Sequence, residues 1–559
     1  MGNLGNFIES CDSSNNCCRH HTRENTELKE TNESLPHNVL NIPIRTNTLI
    51  LEHSRNPLDY YVALETIGTG SFGLVKKVCL KKNPETIRAM KIISKKNILK
   101  GIDEADLVKE IYILRNLDHP NIMKIYEIFI DNKNFYIISE FCDQGDLFTK
   151  MEKLGNMNEI MVKFIMEQIF NAVSYLHSKG VLHGDIKLEN VMLYTTSKKA
   201  HVRFSVMNIN IESNKNIQKE LNSYYSQKLK SQKTKEFVND MLNYEIKLID
   251  FGCSKLFSKK THKKISGIIG TSLYCSPEVI NNLYDEKCDE WSCGIMMYIL
   301  LTGRAPFQGE NEKEIFEKIK KCEYNFNLHK FKNVSNNCKD LIRKLLEPNI
   351  DKRIKANEAL RHPFFKEDFN PNKALTENKD LSILNILINI KLPLSKFHEA
   401  IAAFLCVNYI SKDEEKRLRE VFRYIDKESK NFLSFEDIYN CLKENGYEIT
   451  KDKVNYILKS LDSDSNGKIE YQEFLRSVCD KDSLFDNNNL KNAFDSIDEE
   501  MKGFIDSNDI KKFIFKEKEI DDIFFKDYLN QFGMKIDDKI TFDDFVYIIK
   551  KNKKLRKRN

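Results

Sequence analysis

His183-Gly184-Asp185-Ile186-Lys187-Leu188-Glu189-Asn190 decides the reading of this chain. An Asp, a Lys two residues on and an Asn five residues on are three of the groups that phosphoryl transfer needs. Asp185 can take the proton of an attacking hydroxyl. Lys187 can neutralise a phosphoryl group in motion, and Asn190 can hold a divalent ion. So short a motif is weak by itself. Its weight comes from partners that stand on both sides of it, in order.

Upstream, Gly68-Thr69-Gly70-Ser71-Phe72-Gly73-Leu74-Val75 lies between two strand-like runs, Tyr61 to Ile67 and Gly73 to Leu80. Glycines let backbone close over phosphates with no side chain in the way. A dinucleotide fold would place a helix straight after them, and none is apparent. Ala89-Met90-Lys91 follows, with Lys91 sixteen residues after Val75, and Glu110 sits in a helical run from Asp106 to Leu117. Downstream come Asp250-Phe251-Gly252, Ser276-Pro277-Glu278, Asp289-Glu290-Trp291-Ser292-Cys293-Gly294 and Arg353. Each alone reads as a core acid, a surface lysine or a turn glycine. Together, over residues 61–365, they resemble the eukaryotic protein kinase family.

The resemblance implies an α+β bilobal fold with ATP between the lobes. Gly68, Gly70 and Gly73 would cover its phosphates, and Lys91, paired with Glu110, would hold the α- and β-phosphates. Val75, Ala89, Ser139, Glu140 and Asp146 would line the nucleotide, and Asn190 with Asp250 would hold magnesium. Arg353 could pair with Glu278. Asp185, Lys187, Asn190, Lys91 and Glu110 form the expected catalytic set.

Three details refine this. Sixty residues separate Asn190 from Asp250 where about a dozen are usual, so 195–244 reads as an insertion: a polar excursion or a docking element. Gly184 stands where the family has an arginine that grips a phosphate on the activation loop. Activity then need not await phosphorylation of Ser258, Thr261, Ser266 or Thr271. The loss also raises the alternative of a non-catalytic scaffold, but the missing arginine performs no chemistry and the chemical residues are all present. Ser139, by register, gates the pocket behind adenine, and so small a side chain leaves it open. Acids at Asp146 and Glu189, by resemblance to basophilic kinases, favour a Ser/Thr target with an arginine three residues before it.

The last 140 residues repeat. Candidate loops begin at Asp426, Asp462, Asp498 and Gly533, spaced 36, 36 and 35 residues apart. Each follows an apolar helical series, such as Leu418, Val421, Phe422 and Ile425, and carries an aliphatic residue at its eighth position: Leu433, Ile469, Ile505 and Ile540. A fixed period of this kind marks repeated supersecondary units. The second loop places oxygen ligands at Asp462, Asp464, Asn466 and the Lys468 carbonyl, a glycine at 467 for the turn, Glu470 at position 9, and Glu473 to bind bidentately. That is the twelve-residue EF-hand calcium loop. The others are degenerate. Lys430 and Lys502 fall at position 5, Asn431 replaces a glycine, Asp437 and Asp509 replace the closing Glu, and Lys535 falls at position 3 of the fourth. A lysine in the cage removes a ligand and repels the ion, so these are read as structural.

A kinase-like region, a junction and four EF-hand units resemble the calcium-dependent protein kinases of plants and apicomplexan parasites. The expected division is 1–56 as an unstructured N-terminal segment, 57–365 as the catalytic domain, 366–410 as an autoinhibitory junction, 411–549 as an all-α calmodulin-like domain, and 550–559 as a basic tail. The resemblance implies a calcium-regulated serine/threonine kinase using ATP, Mg2+ and Ca2+. The alternatives are a dead scaffold acting as a calcium-sensing adaptor, and an active kinase with little calcium dependence. In the junction, Phe397, Ala400, Ile401, Phe404 and Leu405 have helical spacing. They fit a switching helix and equally a helix packed permanently on the EF-hands. The segment is poor in Lys and Arg and contains Pro393, which argues against a basic pseudosubstrate.

Composition sets the remaining bounds. The 559 residues carry a net charge of +5, too small for the length to suggest a nucleic-acid partner. No apolar run approaches the ~20 residues of a spanning helix. The 14 cysteines, with no visible secretory signal, imply reduced thiols and a cytoplasmic location. Met1-Gly2-Asn3 resembles a myristoylated start, with Asn6 where Ser or Thr is wanted. Cys11, Cys17 and Cys18 suit palmitate, inert tail thiols, or a metal site with His20 and His21. Lys550 to Arg558 is basic enough for anionic lipid, a solvated tail or a nuclear address. A peripheral membrane association and a monomeric state are the expectations.

Overall fold

The computed structural model describes residues 51–53, 55–70, 73–95, 104–155, 157–195, 244–257, 265, 270–366, 382–389, 396–462, 466–515, 535 and 538–550. Its first unit is a six-stranded sheet, in the order β1-β5-β6-β4-β3-β2. The strands are β1 (Leu51–His53), β2 (Tyr61–Gly70), β3 (Gly73–Leu80), β4 (Asn83–Ser94), β5 (Ile125–Ile130) and β6 (Asn134–Glu140). Period-2 alternation puts Val78, Met90, Ile138 and Phe129 into a small core with Tyr61. The same register sets Lys91 opposite Val75 on one side and Ile137 on the other, with Ala89 opposite Ser139. Ala89 and Lys91, two apart, therefore share a face. Helix α1 (Glu104–Arg115) carries Glu110.

The edge strand is a correction to the sequence reading, which extended the unstructured segment through residue 56. Leu51–His53 pair in parallel with Glu127–Phe129 of β5, and His53 stacks on Phe129 at 4.5 Å. Three residues carry too little periodicity to be read as a strand; the exposed edge of β5 supplies the partner.

The second unit is mostly helical. Helix α2 is Leu147–Leu154, α3 is Glu159–Ser178, α4 is Pro277–Ile280, α5 is Cys288–Thr302, α6 is Glu312–Lys321 and α7 is Asn336–Leu345. Helix α5 is apolar on every side after its acidic first turn, and nearly all of it is buried. A helix of that composition can only sit in a core. Gly303 ends it at φ +73°, a left-handed position suited to glycine. Short strands β7 (Val181–Leu182), β8 (Val191–Thr195), β9 (Tyr244–Leu248) and β10 (Lys255–Leu256) frame the segment 183–190. One large core runs from α1 and β5 through α3 to α5 and α7.

The third unit has its own core. Its longer helices are α8 (Ser382–Ile388), α9 (Lys396–Tyr409), α10 (Lys412–Ile425), α11 (Phe435–Glu444), α12 (Lys451–Leu461), α13 (Tyr471–Val478), α14 (Asn487–Ile497), α15 (Ser507–Phe515) and α16 (Phe542–Lys550). The eighth positions of the loops meet in pairs. In β11 (Phe432–Leu433) and β12 (Ile469–Glu470), Leu433 faces Ile469, and a bridge joins Ile505 to Ile540. Junction residues Ala400, Ile401, Phe404 and Leu405 of α9 lie inside this core, with Ile383, Leu384 and Leu387 of α8. Here the junction is part of the EF-hand unit. Lys550, assigned by sequence to the tail, is the last residue of α16.

Candidate functional site

Strand β7 turns into the segment 183–190, and α5 holds that turn from below. The Asp289 carboxylate accepts the N–H of His183 and of Gly184, both at 2.9 Å. Two bonds to one ionised carboxylate fix the loop better than packing alone, because charge-assisted bonds are stronger than neutral ones. Gly184 has φ +81°. An arginine would be strained there by about 1–2 kcal/mol. The substitution that removes a phosphate-gripping side chain also relaxes the backbone.

His177 bridges Asp289 (2.9 Å) and Glu290 (3.2 Å) beneath the loop. Burial opposes its charge, but the Glu290 and Asp289 carboxylates outweigh that and push it up to about 10. A raised histidine contributes stability that is complete below its unfolded value near 6.5 and is lost as pH rises through the folded value. The thermal midpoint is therefore expected to fall between pH 7 and 10, and His177→Asn to flatten that fall. Parallel melting curves for the two proteins across this range would contradict the assignment.

The catalytic candidates converge. Lys187 Nζ lies 2.7 Å from Asp185 Oδ2. Asn190 donates to the Asp185 carbonyl at 2.8 Å and to Asp185 Oδ2 at 3.0 Å. With its amide nitrogen so engaged, the Asn190 side-chain oxygen is the end left to face a cation. The Ile249 N–H donates to the Asn190 carbonyl at 2.9 Å, so the residue before Asp250 is tied to the loop. Asp250 itself has φ +64°, and Phe251 is buried edge-on against His183 at 4.8 Å. Lys91 Nζ and Glu110 Oε1 are 3.2 Å apart, which brings α1 against the sheet. Asp250 and Asn190 offer hard oxygen donors of the kind that suit a magnesium ion.

Gly73 has a steric reason. A Cβ there would sit 2.0 Å from the Ile92 carbonyl oxygen. Around the nucleotide, Ser139 and Ala89 face each other across β4 and β6. The Glu140 carboxylate is held 2.8 Å from Lys247 Nζ, and its main-chain N–H donates to the Lys124 carbonyl at 3.0 Å. Asp146 caps α2, accepting from Thr149 N (2.7 Å) and Thr149 Oγ1 (2.8 Å), and Glu189 is exposed.

One residue was missed in this role. Thr271, read only as a phosphorylatable hydroxyl, donates to Asp185 Oδ1 and accepts from Lys187 Nζ, each at 2.9 Å. Its place just after Gly270 was the available signal. A Cβ at Gly270 would lie 2.6 Å from the Gly184 carbonyl, so the activation segment presses directly on the loop. Arg353 and Glu278 lock the end of that segment through two contacts, one of them 3.0 Å, with Arg353 almost fully buried. Arg353→Ala strands a buried carboxylate and is expected to cost about 3–5 kcal/mol. Chemical denaturation measures this directly, and a loss below about 1 kcal/mol would mean that the pair acts as if solvent-exposed.

The calcium-loop candidates are framed alike. Asp462 accepts from Asn466 N (3.1 Å) and Gly467 N (2.8 Å), with Gly467 at φ +78°. Glu473 accepts from Glu470 N at 3.0 Å. Asp464 lies outside the described residues, as do Gly533, the N-terminal acylation candidates and most of the 195–244 insertion. The donors present are hard oxygens around a sharp glycine turn, which fits calcium.

The protein kinase domain family matches residues 61–365 and the EF-hand domain pair matches residues 415–479. Calcium-dependent protein kinase 4 of Plasmodium falciparum (isolate 3D7) is 31% identical over 574 aligned positions, covering 97% of this chain and 98% of that protein. Calcium-dependent protein kinase 5 of the same organism is 31% identical, covering 81% and 71%. Calcium-dependent protein kinase 3 of Plasmodium yoelii yoelii is 33% identical, covering 78% and 71%. The chain belongs to the calcium-dependent protein kinase family.

In this calcium-dependent protein kinase the sensor unit rests on the catalytic one. Arg419 of α10 meets Glu245 of β9 at 2.5 Å, and Tyr194 donates to the same Glu245 oxygen at 2.6 Å. One turn on, Arg423 donates to Asn121 at 3.2 Å. Gln472 donates to Asp118 at 2.8 Å, and Lys179 reaches Glu470 at 2.5 Å. Burial pushes Asp118 up to about 6. Glu245 and Lys247 share one strand, and Lys247 anchors Glu140 at the end of β6, where the chain leaves the sheet towards α2. Among the described residues, no helix is long and apolar enough to cross a membrane.

Proposed function

We propose that this kinase transfers the ATP γ-phosphate to serine and threonine hydroxyls of protein substrates, with arginine upstream of the target, under calcium control. The observation that carries the reading is the cluster of Asp185, Lys187, Asn190 and Thr271 beside a formed Lys91–Glu110 pair. Asp185 orients the hydroxyl and takes its proton, with Thr271 and Asn190 holding the carboxylate in place. Lys187 stabilises the phosphoryl group in flight, and Lys91 holds the other phosphates. Magnesium, when bound by Asn190 and Asp250, would neutralise phosphate charge. Gly68, Gly70 and Gly73 exclude water from above, and Asp146 and Glu189 attract the substrate's basic residues.

Calcium enters through the loop starting at Asp462. Burial of α9 in the EF-hand core supports a reading in which calcium keeps the junction inside the sensor and away from the catalytic cleft. The contacts of Arg419 and Gln472 then favour the working arrangement of the lobes. Acylation at Gly2 and at Cys11, Cys17 or Cys18, together with the basic tail, would anchor a monomeric enzyme stably at a membrane, whereas a single lipid chain would do so only weakly. The test is γ-phosphate transfer to matched peptides bearing Ser or Tyr, with and without arginine three residues upstream. The Arg-x-x-Ser peptide is expected to be preferred. Equal use of the Tyr peptide would overturn the Ser/Thr assignment.

A further inference from the structure

The described parts of three loops share one hydrogen-bonded frame. The first-position acids each accept two main-chain N–H groups. Asp426 takes Lys430 (2.9 Å) and Asn431 (2.7 Å), as Asp462 takes Asn466 and Gly467, and Asp498 takes Lys502 (2.9 Å) and Gly503 (2.8 Å). The last-position acids each accept the N–H of the ninth residue. Asp437 takes Ser434 at 2.8 Å and Asp509 takes Asp506 at 2.8 Å, as Glu473 takes Glu470. Loops 1 and 3 thus hold the geometry of a calcium loop despite their lysines.

The lysines explain how. Lys430 Nζ lies 2.9 and 2.7 Å from the two Asp437 oxygens. Lys502 Nζ lies 2.7 Å from Asp506 and 2.8 Å from Asp509. In both loops the fifth residue, whose oxygen would bind the ion, instead sends an ammonium to the closing carboxylate. Asp at the last position is one methylene shorter than Glu473, which leaves room for the ammonium. A lysine ammonium presents three donors, and its positive charge partly offsets the acids that line each loop.

We propose that Lys430 and Lys502 are built-in cations that stand in for calcium, keeping loops 1 and 3 closed at all calcium levels, and that Lys430 thereby positions loop 2. The route is the β11–β12 pair. Loop 1, held shut, fixes Leu433, which fixes Ile469 and the ninth-position Glu470 of loop 2 before any ion arrives. Less ordering remains to oppose binding, so affinity at loop 2 rises. Lys502 has no such role there, because its loop bridges to the fourth through Ile505 and Ile540. The inference rests on the reading of loop 2 as the calcium site.

The test is calcium titration calorimetry on the full chain, with thermal unfolding in chelator. The wild type is expected to bind one calcium. Lys430→Met is expected to weaken that binding by about tenfold, while Lys502→Met changes it by less than about twofold; both lower the calcium-free melting temperature. Asp437→Asn, which keeps an oxygen for Ser434 but drops the charge, should reproduce Lys430→Met if that variant fails to fold. Two or more calcium ions in the wild type, equal affinity losses in the two lysine variants, or unchanged melting would overturn the proposal. If the wild type binds none, the loop 2 reading fails. The internal-cation claim is then decided by melting alone: a drop supports it and no change ends it.

Discussion

Asp185→Asn is expected to lower the turnover of phosphate transfer by about 10²–10⁴-fold, the usual contribution of a positioned acid–base group. The substitution keeps the size of the side chain and an oxygen for Thr271, whose hydroxyl donates to Asp185 Oδ1. What it removes is the negative charge that orients the substrate hydroxyl and pairs with Lys187 at 2.7 Å. ATP affinity should change little, because the phosphates are assigned to Lys91 and the glycine-rich hairpin. The melting temperature should also stay close to wild type, since the loop hangs on Asp289 rather than on Asp185. Single-turnover transfer, nucleotide binding and melting separate these effects. Wild-type turnover in the variant would remove Asp185 from the chemistry and revive the reading of a scaffold.

Glu473→Gln is expected to raise the calcium concentration needed for half-maximal activity on the order of 100-fold, because the closing carboxylate loses its charge and its bidentate grip. Gln retains an oxygen for the Glu470 N–H, so the calcium-free frame should survive. Basal activity in chelator should be the same as wild type, because Glu473 belongs to the sensor and not to the cleft. The check is peptide phosphorylation across a calcium series. An unchanged midpoint would place the controlling ion elsewhere.

The catalytic domain was legible because phosphoryl transfer demands particular residue types at particular separations. Lys91, Asp185, Lys187 and Asn190 announce themselves without any knowledge of packing, and the pairs Lys91–Glu110 and Glu278–Arg353 both formed. The EF-hand repeat was legible from its period, and the bridging residues Leu433, Ile469, Ile505 and Ile540 met as spaced. The docking of the two units was not legible. Arg419 and Arg423 stand one turn apart on α10 with no motif to mark them; only the fold reveals Glu245 and Asn121 opposite them. Strand β1 escaped for the same reason, since its partner is an edge made by distant residues. The lysines at position 5 were read as repelling calcium. The sequence shows a charge but not where the ammonium goes, and its partner turned out to be the closing carboxylate seven residues on.

The central claim is that calcium at the sensor controls transfer at the catalytic loop. The most direct test is the initial rate of phosphorylation of an Arg-x-x-Ser peptide by the purified full-length chain with magnesium-ATP, first in chelator and then in saturating calcium. A low rate in chelator and a rise of at least about tenfold with calcium are expected, within the 5–150-fold range of ordinary coupling energies. Equal rates in the two conditions would contradict it and leave the EF-hand unit as a scaffold for the kinase.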